Sequence, residues 1–148
     1  MKPIKALAEL SVEEFNEVKY LLSGVVEKRA EHVVTECARV TEAVAALKRG
    51  DLAELGRLLN ESHYSLRDLY EVTGKELDML SSLARKEAGC LGSRMIGAGF
   101  GGCTISIVKK SAVEGFIRRV DRAYFDAIGY RASFYETSIE DGVTVSKL

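Results

Sequence analysis

The chain has 148 residues, of which 47% are hydrophobic and 29% charged, an ordinary composition for one globular domain. Its net charge of −1, from 21 basic and 22 acidic side chains, gives no electrostatic basis for binding nucleic acid or an anionic membrane, and we expect neither as a partner. No apolar run approaches the roughly 20 residues of a membrane span, and the N-terminus lacks a secretory signal, so we expect a single cytoplasmic domain over residues 1–148.

The cysteines and histidines do not indicate a metal site. Cys37, Cys90 and Cys103 are odd in number and far apart, and no C-x-x-C occurs. This pattern favours three buried, reduced thiols over a disulfide framework or a zinc site. His32 and His63 have no neighbours at metal-ligand spacing, so we predict no metal ligands in this chain.

Residues 1–88 have mainly helical periodicity. Ser11 and Glu14 predict a capping box for a short helix that ends near residue 22. A long helix follows over residues 25–48, with an apolar seam at heptad spacing made of Val26, Ala30, Val33, Cys37, Val40, Val44 and Leu47. Small residues on the seam favour packing within the chain, with a coiled-coil dimer as the alternative.

Two more helices are predicted before residue 88. Gly50 suits a helix C-terminus, and Asp51 with Glu54 suits the next N-terminus. Thr73 and Glu76 predict a capping box for the fourth helix. The apolar positions are Leu52, Leu55, Leu59, Leu66 and Leu69 in the third helix and Leu77, Leu80, Leu83 and Ala84 in the fourth.

Residues 89–148 change to a strand–loop–strand–helix–strand–strand pattern. The helix is predicted to be capped by Ser111 and Glu114 and to end at Gly129. The apolar face of this helix comprises Val113, Phe116, Ile117, Val120, Tyr124 and Ala127. The strands are predicted at 93–96, 103–109, 132–138 and 143–145, with a turn at Asp141–Gly142. This order predicts an α+β fold, a ferredoxin-like antiparallel sheet backed by helices.

A glycine-rich loop separates the first two strands. Gly97, Gly99 and Gly102 match G-x-G-x-x-G, but a strand follows instead of the helix that a dinucleotide fingerprint requires. Cys103 stands where a P-loop needs lysine, and the H-R-D and D-F-G motifs of protein kinases do not occur. Bare glycine backbone can approach an anion, with Arg94 supplying charge; the alternative is a strained hairpin that only needs positive φ.

Three stretches resemble one known family. Residues 93–103, SRMIGAGFGGC, closely resemble the third signature motif of the GHMP sugar-kinase superfamily, in the form its galactokinase family has. Residues 29–36, RAEHVVTE, and 61–72, ESHYSLRDLYEV, resemble two further segments of that family, and Asp141–Gly142 matches its D-G near the C-terminus. Ile96 departs from the pattern, because the family usually has threonine there.

The resemblance implies the C-terminal domain of an ATP-dependent sugar-1-kinase of galactose catabolism. The whole enzyme would use ATP and Mg²⁺ to phosphorylate the 1-hydroxyl of galactose. The family's G-x-G-L-S-S-S phosphate loop, catalytic residues and main sugar contacts lie further N-terminal, and this chain contains no such loop. We therefore expect no catalytic residue here, no tight ligand binding and no activity of this chain alone.

The residues implied at the active site belong to the glycine loop. They are Gly97, Ala98, Gly99, Phe100, Gly101 and Gly102, which would frame the phosphate site, with Ser93 and Arg94 as accessory residues. His63 is either an acid or base or a helix histidine held by hydrogen bonds, and we favour the second. Packing or domain-interface roles are predicted for Tyr64, Arg67, Asp68, Tyr70 and Glu71, and a solvated face for Arg118, Arg119 and Arg122.

Other interpretations remain open from the sequence. One is a related kinase of N-acetylgalactosamine or of a uronic acid, because the sugar contacts are absent. Another is a non-catalytic ferredoxin-like module for docking or regulation, as in catalytically silent relatives of the family. If an N-terminal domain is missing, apolar surface beside the glycine loop should be exposed and could support self-association.

Overall fold

The computed structural model describes residues 3–138 and 145. Its helices are α1 (Val12–Val18), α2 (Gly24–Arg49), α3 (Leu52–Ser65), α4 (Lys75–Lys86) and α5 (Val113–Ile128). Strands β1 (Cys90–Ile96) and β2 (Cys103–Val108) pair antiparallel, with Ser93 opposite Ser106 and Met95 opposite Thr104. The predicted α+β fold, helices backing an antiparallel sheet, is confirmed.

Short irregular turns complete the described elements. Turns of 3-10 helix lie at Leu7–Glu9, Lys19–Leu21 and Lys110–Ala112. A single π-helical turn, Leu66–Tyr70, continues directly from α3. Such turns within helices are found frequently at functional sites.

Two of the predicted helix ends are confirmed. In α1 the Glu14 N–H donates to Ser11 Oγ at 3.1 Å, and the Ser11 N–H donates to Glu14 Oε2 at 2.9 Å. Asp51 Oδ1 accepts the Glu54 N–H at 3.0 Å and caps α3. These caps satisfy donors that the first helical turn leaves unpaired.

Two predicted capping boxes are wrong. Gly74, with φ of +81°, occupies the N-cap of α4, so Thr73 lies one residue too early and is buried instead. Ala112 precedes α5 because the turn Lys110–Ala112 takes up Ser111. Neither helix has a side-chain cap.

The apolar seam of α2 does not pack as predicted. Ala30 is buried, but Val26, Val40 and Leu47 are exposed by 61%, 63% and 54%. The helix also buries Val34, which lies outside the seam and packs with Ala30 on Phe15 of α1, and polar side chains of α2 face α3. Within the described residues, no helix is both long and apolar enough to cross a membrane.

In the described part of the chain, buried apolar side chains form three clusters around β1 and the helices. One joins α1 to α2 as described. A second contains Leu66, Leu77 and Met95, so β1 is covered by α4 and the end of α3. The third contains Ala84, Phe116 and Val120 between α4 and α5. Burial of one such large side chain contributes roughly 1.5–3 kcal/mol.

The C-terminal strand predictions had different outcomes. Residues 131–138 have no regular secondary structure, so the strand predicted at 132–138 is wrong. Phe134 packs on the α4–α5 cluster, and the alternating pattern thus reflects burial on one side without strand pairing. The turn at 141–142 and the strand predicted at 143–145 lie outside the described residues, apart from Val145.

Helix α3 and strand β1 touch at two glycines. A Cβ on Gly56 would lie 2.1 Å from the Leu91 carbonyl oxygen, and one on Gly92 would lie 2.2 Å from the Gly56 oxygen. No side chain fits at this crossing, so these two residues set the distance between the helix and the sheet.

We predict that Gly56→Ala destabilises the fold by about 1–3 kcal/mol, because the new methyl group forces α3 away from β1. Gly115→Ala is the matched control within α5, where the nearest group is the movable end of Arg119. That change should stabilise by about 0.5–1 kcal/mol, as glycine to alanine does in an unobstructed helix. Urea unfolding of both variants tests whether the free energy of unfolding falls in Gly56→Ala and rises in Gly115→Ala. A stabilising Gly56→Ala would contradict the close approach of α3 to β1.

Candidate functional site

The glycine loop, residues 97–102, connects β1 to β2 through left-handed backbone. Gly97, Gly99 and Gly101 have φ of +75°, +86° and +93°. Phe100 also has positive φ, +56°, which is uncommon for a residue with a side chain. The strand–loop–strand arrangement predicted from the sequence is therefore confirmed.

The loop is docked on the segment that follows α3. The Phe100 N–H donates to the Val72 carbonyl oxygen at 2.9 Å. A Cβ on Gly99 would lie only 2.0 Å from the same oxygen, so only glycine fits there. Gly97 and Gly101 differ, because a Cβ on either would meet nothing within 4 Å. Their bare backbone is open to an approaching group.

Apolar surface lies beside the loop. Phe100 is 77% exposed and Ile96 41%. A groove of about 650 Å³ runs between the loop and α2, and its lining includes Val25, Val26, Val33, Tyr70, Val72 and Phe100. The expected exposed apolar surface is thus confirmed in the described part of the chain.

Ser93, predicted as an accessory residue, is fully buried at the middle of β1. Its hydroxyl accepts from Ser106 Oγ at 2.9 Å, and its N–H donates to Asn60 Oδ1 at 2.9 Å. Its carbonyl oxygen accepts from Ser81 Oγ at 2.9 Å and from Arg85 at 3.0 Å. These bonds hold the strand that leads into the loop.

Arg94, the other predicted accessory residue, is partly neutralised. Its Nη1 lies 3.8 Å from Glu36 Oε2, and its Nε donates to the Met95 carbonyl oxygen at 2.9 Å. Glu36 also accepts from Ser62 Oγ at 2.7 Å and pairs with Arg39. The Arg94 charge is therefore shared with a carboxylate of α2.

His63 is a buried hydrogen-bonded residue, as favoured from the sequence. Its Nδ1 accepts the Met95 N–H at 3.2 Å, and its Nε2 lies 3.2 Å from Asp78 Oδ1. A neutral ring with its proton on Nε2 suits both neighbours. Burial, reinforced by the nearby Arg85 charge, lowers the pKa of His63 to about 4.

The two other family-like segments lie against each other. His32 Nδ1 is 2.9 Å from Ser65 Oγ, and the Glu36 contact with Ser62 lies one helical turn further on. Sequence reasoning did not pair these segments. The sequence feature that could have predicted this contact is the four-residue spacing of His32 and Glu36, which places both on one face of α2.

Exposure tests the predictions for the cysteines and for the arginine face of α5. Cys37 and Cys90 are half-buried and Cys103 is exposed, so the prediction of three buried thiols is wrong, although all three are free. The side chains of Arg119 and Arg122 are 52% and 78% exposed, as predicted for a solvated face. No cluster of three or more potential metal ligands occurs within the described residues.

Comparison with known proteins identifies the family. Residues 43–127 match the family described as GHMP kinases C terminal. Because the match covers more than half of the chain, the chain belongs to that family.

Individual relatives are galactokinases. The chain is 53% identical over 143 residues to galactokinase of Clostridium beijerinckii, covering 96% of this chain and 37% of the relative. It is 54% identical over 140 residues to galactokinase of Lactobacillus helveticus, covering 94% and 36%. The crystal structure of Lactococcus lactis galactokinase complexed with galactose superposes with a TM-score of 0.88 at 48% identity, covering 90% of this chain and 35% of that one. This chain therefore spans little more than a third of the length of these relatives.

We predict that Gly99→Ala destabilises the fold more than Gly97→Ala. Both changes place a methyl group on left-handed backbone, which costs roughly 1–2 kcal/mol. Only the first collides with the Val72 oxygen, which adds roughly 1–3 kcal/mol. Urea unfolding of the two variants measures the difference, and equal losses would show that the loop is not docked on Val72.

We also predict a pH dependence from His63. Its pKa in the folded chain is about 4, well below the ordinary histidine pKa of 6.5, so the folded state binds the proton less readily. The resulting stability is complete above about pH 6.5 and is lost as the pH falls toward 4, by about 3 kcal/mol in total, since each pKa unit corresponds to about 1.4 kcal/mol. We measure the free energy of unfolding in urea at several pH values across this range. It should change less steeply with pH in His63→Gln than in the parent chain, and an equally steep change would contradict the prediction.

Proposed function

We propose that this chain is the C-terminal part of a cytoplasmic galactokinase, which transfers the γ-phosphoryl group of ATP to the 1-hydroxyl of galactose. The observation that carries the proposal is the glycine loop: it has the family's residues, open backbone and docking on a second family-like segment. The relatives named galactokinase, at about half identity over nearly the whole chain, favour galactose over N-acetylgalactosamine.

The loop suits a framing role at a phosphate site. Gly97 and Gly101 leave their backbone free for close approach by a phosphate or by a phosphate-binding segment. Arg94 adds positive charge nearby, reduced by Glu36. Ser93 acts through β1, since its hydroxyl is buried inside the fold and accepts from Ser106 Oγ.

The rest of the chemistry would come from outside this chain. Phosphoryl transfer depends on positioning, metal ions and charge neutralisation acting together. Within the described residues, no three potential metal ligands lie together, and we infer that tight binding of Mg²⁺ and ATP would need residues of the rest of the enzyme. We infer that the chain alone has no kinase activity.

The apolar surface beside the loop suits contact with the N-terminal domain of the whole enzyme. Phe100 keeps a strained left-handed conformation while exposing most of its ring. Glycine would adopt this left-handed conformation without strain, so we infer that the aromatic ring of Phe100 is itself needed for the contact. With that domain absent, the same surface offers a route to self-association.

The test is a chimera in which this chain replaces the corresponding region of the Clostridium beijerinckii galactokinase. We expect galactose-dependent ADP formation by the chimera and none by the chain alone. Gly99→Val in the chimera should lower kcat at least tenfold by displacing the loop, whereas Gly115→Ala should leave it unchanged. Activity of the isolated chain would refute its inactivity, and a folded but inactive chimera would refute the proposed function.

A further inference from the structure

Only two non-glycine residues in the described part of the chain have left-handed φ. They are Glu71, at +61°, and Phe100, at +56°. Such backbone costs of order 1–3 kcal/mol and persists where the surroundings impose it. One hydrogen bond links the two places, because the Phe100 N–H donates to the carbonyl oxygen of Val72, the residue that follows Glu71.

The turn at Glu71 is held from two sides. On the backbone side, the Leu66 carbonyl oxygen accepts the N–H groups of both Glu71 and Val72. On the side-chain side, the Glu71 carboxylate accepts from Arg29 Nη2 at 2.8 Å and from Lys28 Nζ at 3.2 Å. The side-chain contacts come from α2, more than 40 residues earlier in the chain.

Arg29 spans the whole turn. Its Nη1 donates to the Leu69 carbonyl oxygen while its Nη2 binds Glu71. Its Cζ lies 5.5 Å from the centre of the Tyr70 ring, which stacks on His32 at 4.6 Å. A planar guanidinium can bind two acceptors in fixed directions and face a ring, which a lysine ammonium cannot reproduce.

We propose that Arg29 is a positioning residue for the glycine loop. It fixes the left-handed turn at Glu71, and this turn directs the Val72 carbonyl oxygen at Gly99 and Phe100. Without Arg29, only the Leu66 carbonyl oxygen and Lys28 still hold Glu71, so the left-handed turn is less stable, the Val72 oxygen can rotate, and the loop is held less firmly. The effect on catalysis rests on the proposed function, whereas the effect on the loop does not.

Amide exchange in the 148-residue chain tests the effect on the loop. In Arg29→Met, we expect the Phe100 N–H to exchange at least tenfold faster, while amides of the β1–β2 ladder near Met95 keep their rates. Arg29→Lys should behave like Arg29→Met, because an ammonium at the end of a flexible chain lacks the rigid planar fork that holds the two acceptors and the Tyr70 ring in fixed directions. Glu71→Gln should stay close to the parent, because its amide oxygen still accepts from Arg29.

The control is Arg122→Met, which removes an exposed arginine of α5 that pairs with Asp126. It should leave the Phe100 rate unchanged. An unchanged Phe100 rate in both Arg29 variants would overturn the proposal, and so would equal acceleration of every protected amide, which indicates global destabilisation. If Arg29→Met does not fold, Arg29→Lys carries the same comparison.

A kinetic measurement separates this proposal from the proposed function. In the chimera, Arg29→Lys should lower kcat about tenfold with little change in the KM for galactose, because the loop frames the reaction centre. If the chimera has no activity while Phe100 exchanges as expected, the positioning role stands and the proposed function fails. If activity is present and neither kcat nor Phe100 exchange changes, the positioning role fails alone.

Discussion

The carbonyl oxygen of Val72 is the point on which the candidate site depends. It accepts the Phe100 N–H at 2.9 Å and occupies the space that a side chain at Gly99 would need. One backbone atom thus determines both the position of the loop and the identity of a loop residue. Two of the other loop glycines, Gly97 and Gly101, have open surroundings, which suits contact with a group outside the chain.

The polar contacts around this point form a continuous support from α2 to the loop. Arg29 and His32 contact the end of α3 and the turn after it, and Glu36 contacts both α3 and Arg94 of β1. His63 ties α3 to the next residue of that strand by accepting the Met95 N–H. A loop of glycines, which has little intrinsic order, is therefore presented by a rigid polar framework.

The sequence predicted helices, strands and turns better than the tertiary contacts between them. Local signals identified Ser11, Asp51 and the glycine loop, because caps and turns depend on a few adjacent residues. Periodicity failed for the α2 seam, since it reports that a face is apolar and not whether this chain covers that face. It failed again at 132–138, where the alternation reflected partial burial of Ala132 and Phe134 without strand pairing. The hydrogen bond from Phe100 to the Val72 carbonyl oxygen could not be predicted from the sequence, because every residue type carries a backbone carbonyl group.

The docking of the loop has a consequence for how this gene region can be recombined. Residues 29–36, 62–72 and 97–102 lie far apart in sequence and meet at one place in the fold. A crossover between two homologous genes that falls inside this span would join contact partners selected in different backgrounds. A crossover upstream of α2 or downstream of β2 transfers the three segments together, so those boundaries are the ones at which related sequences can be exchanged intact.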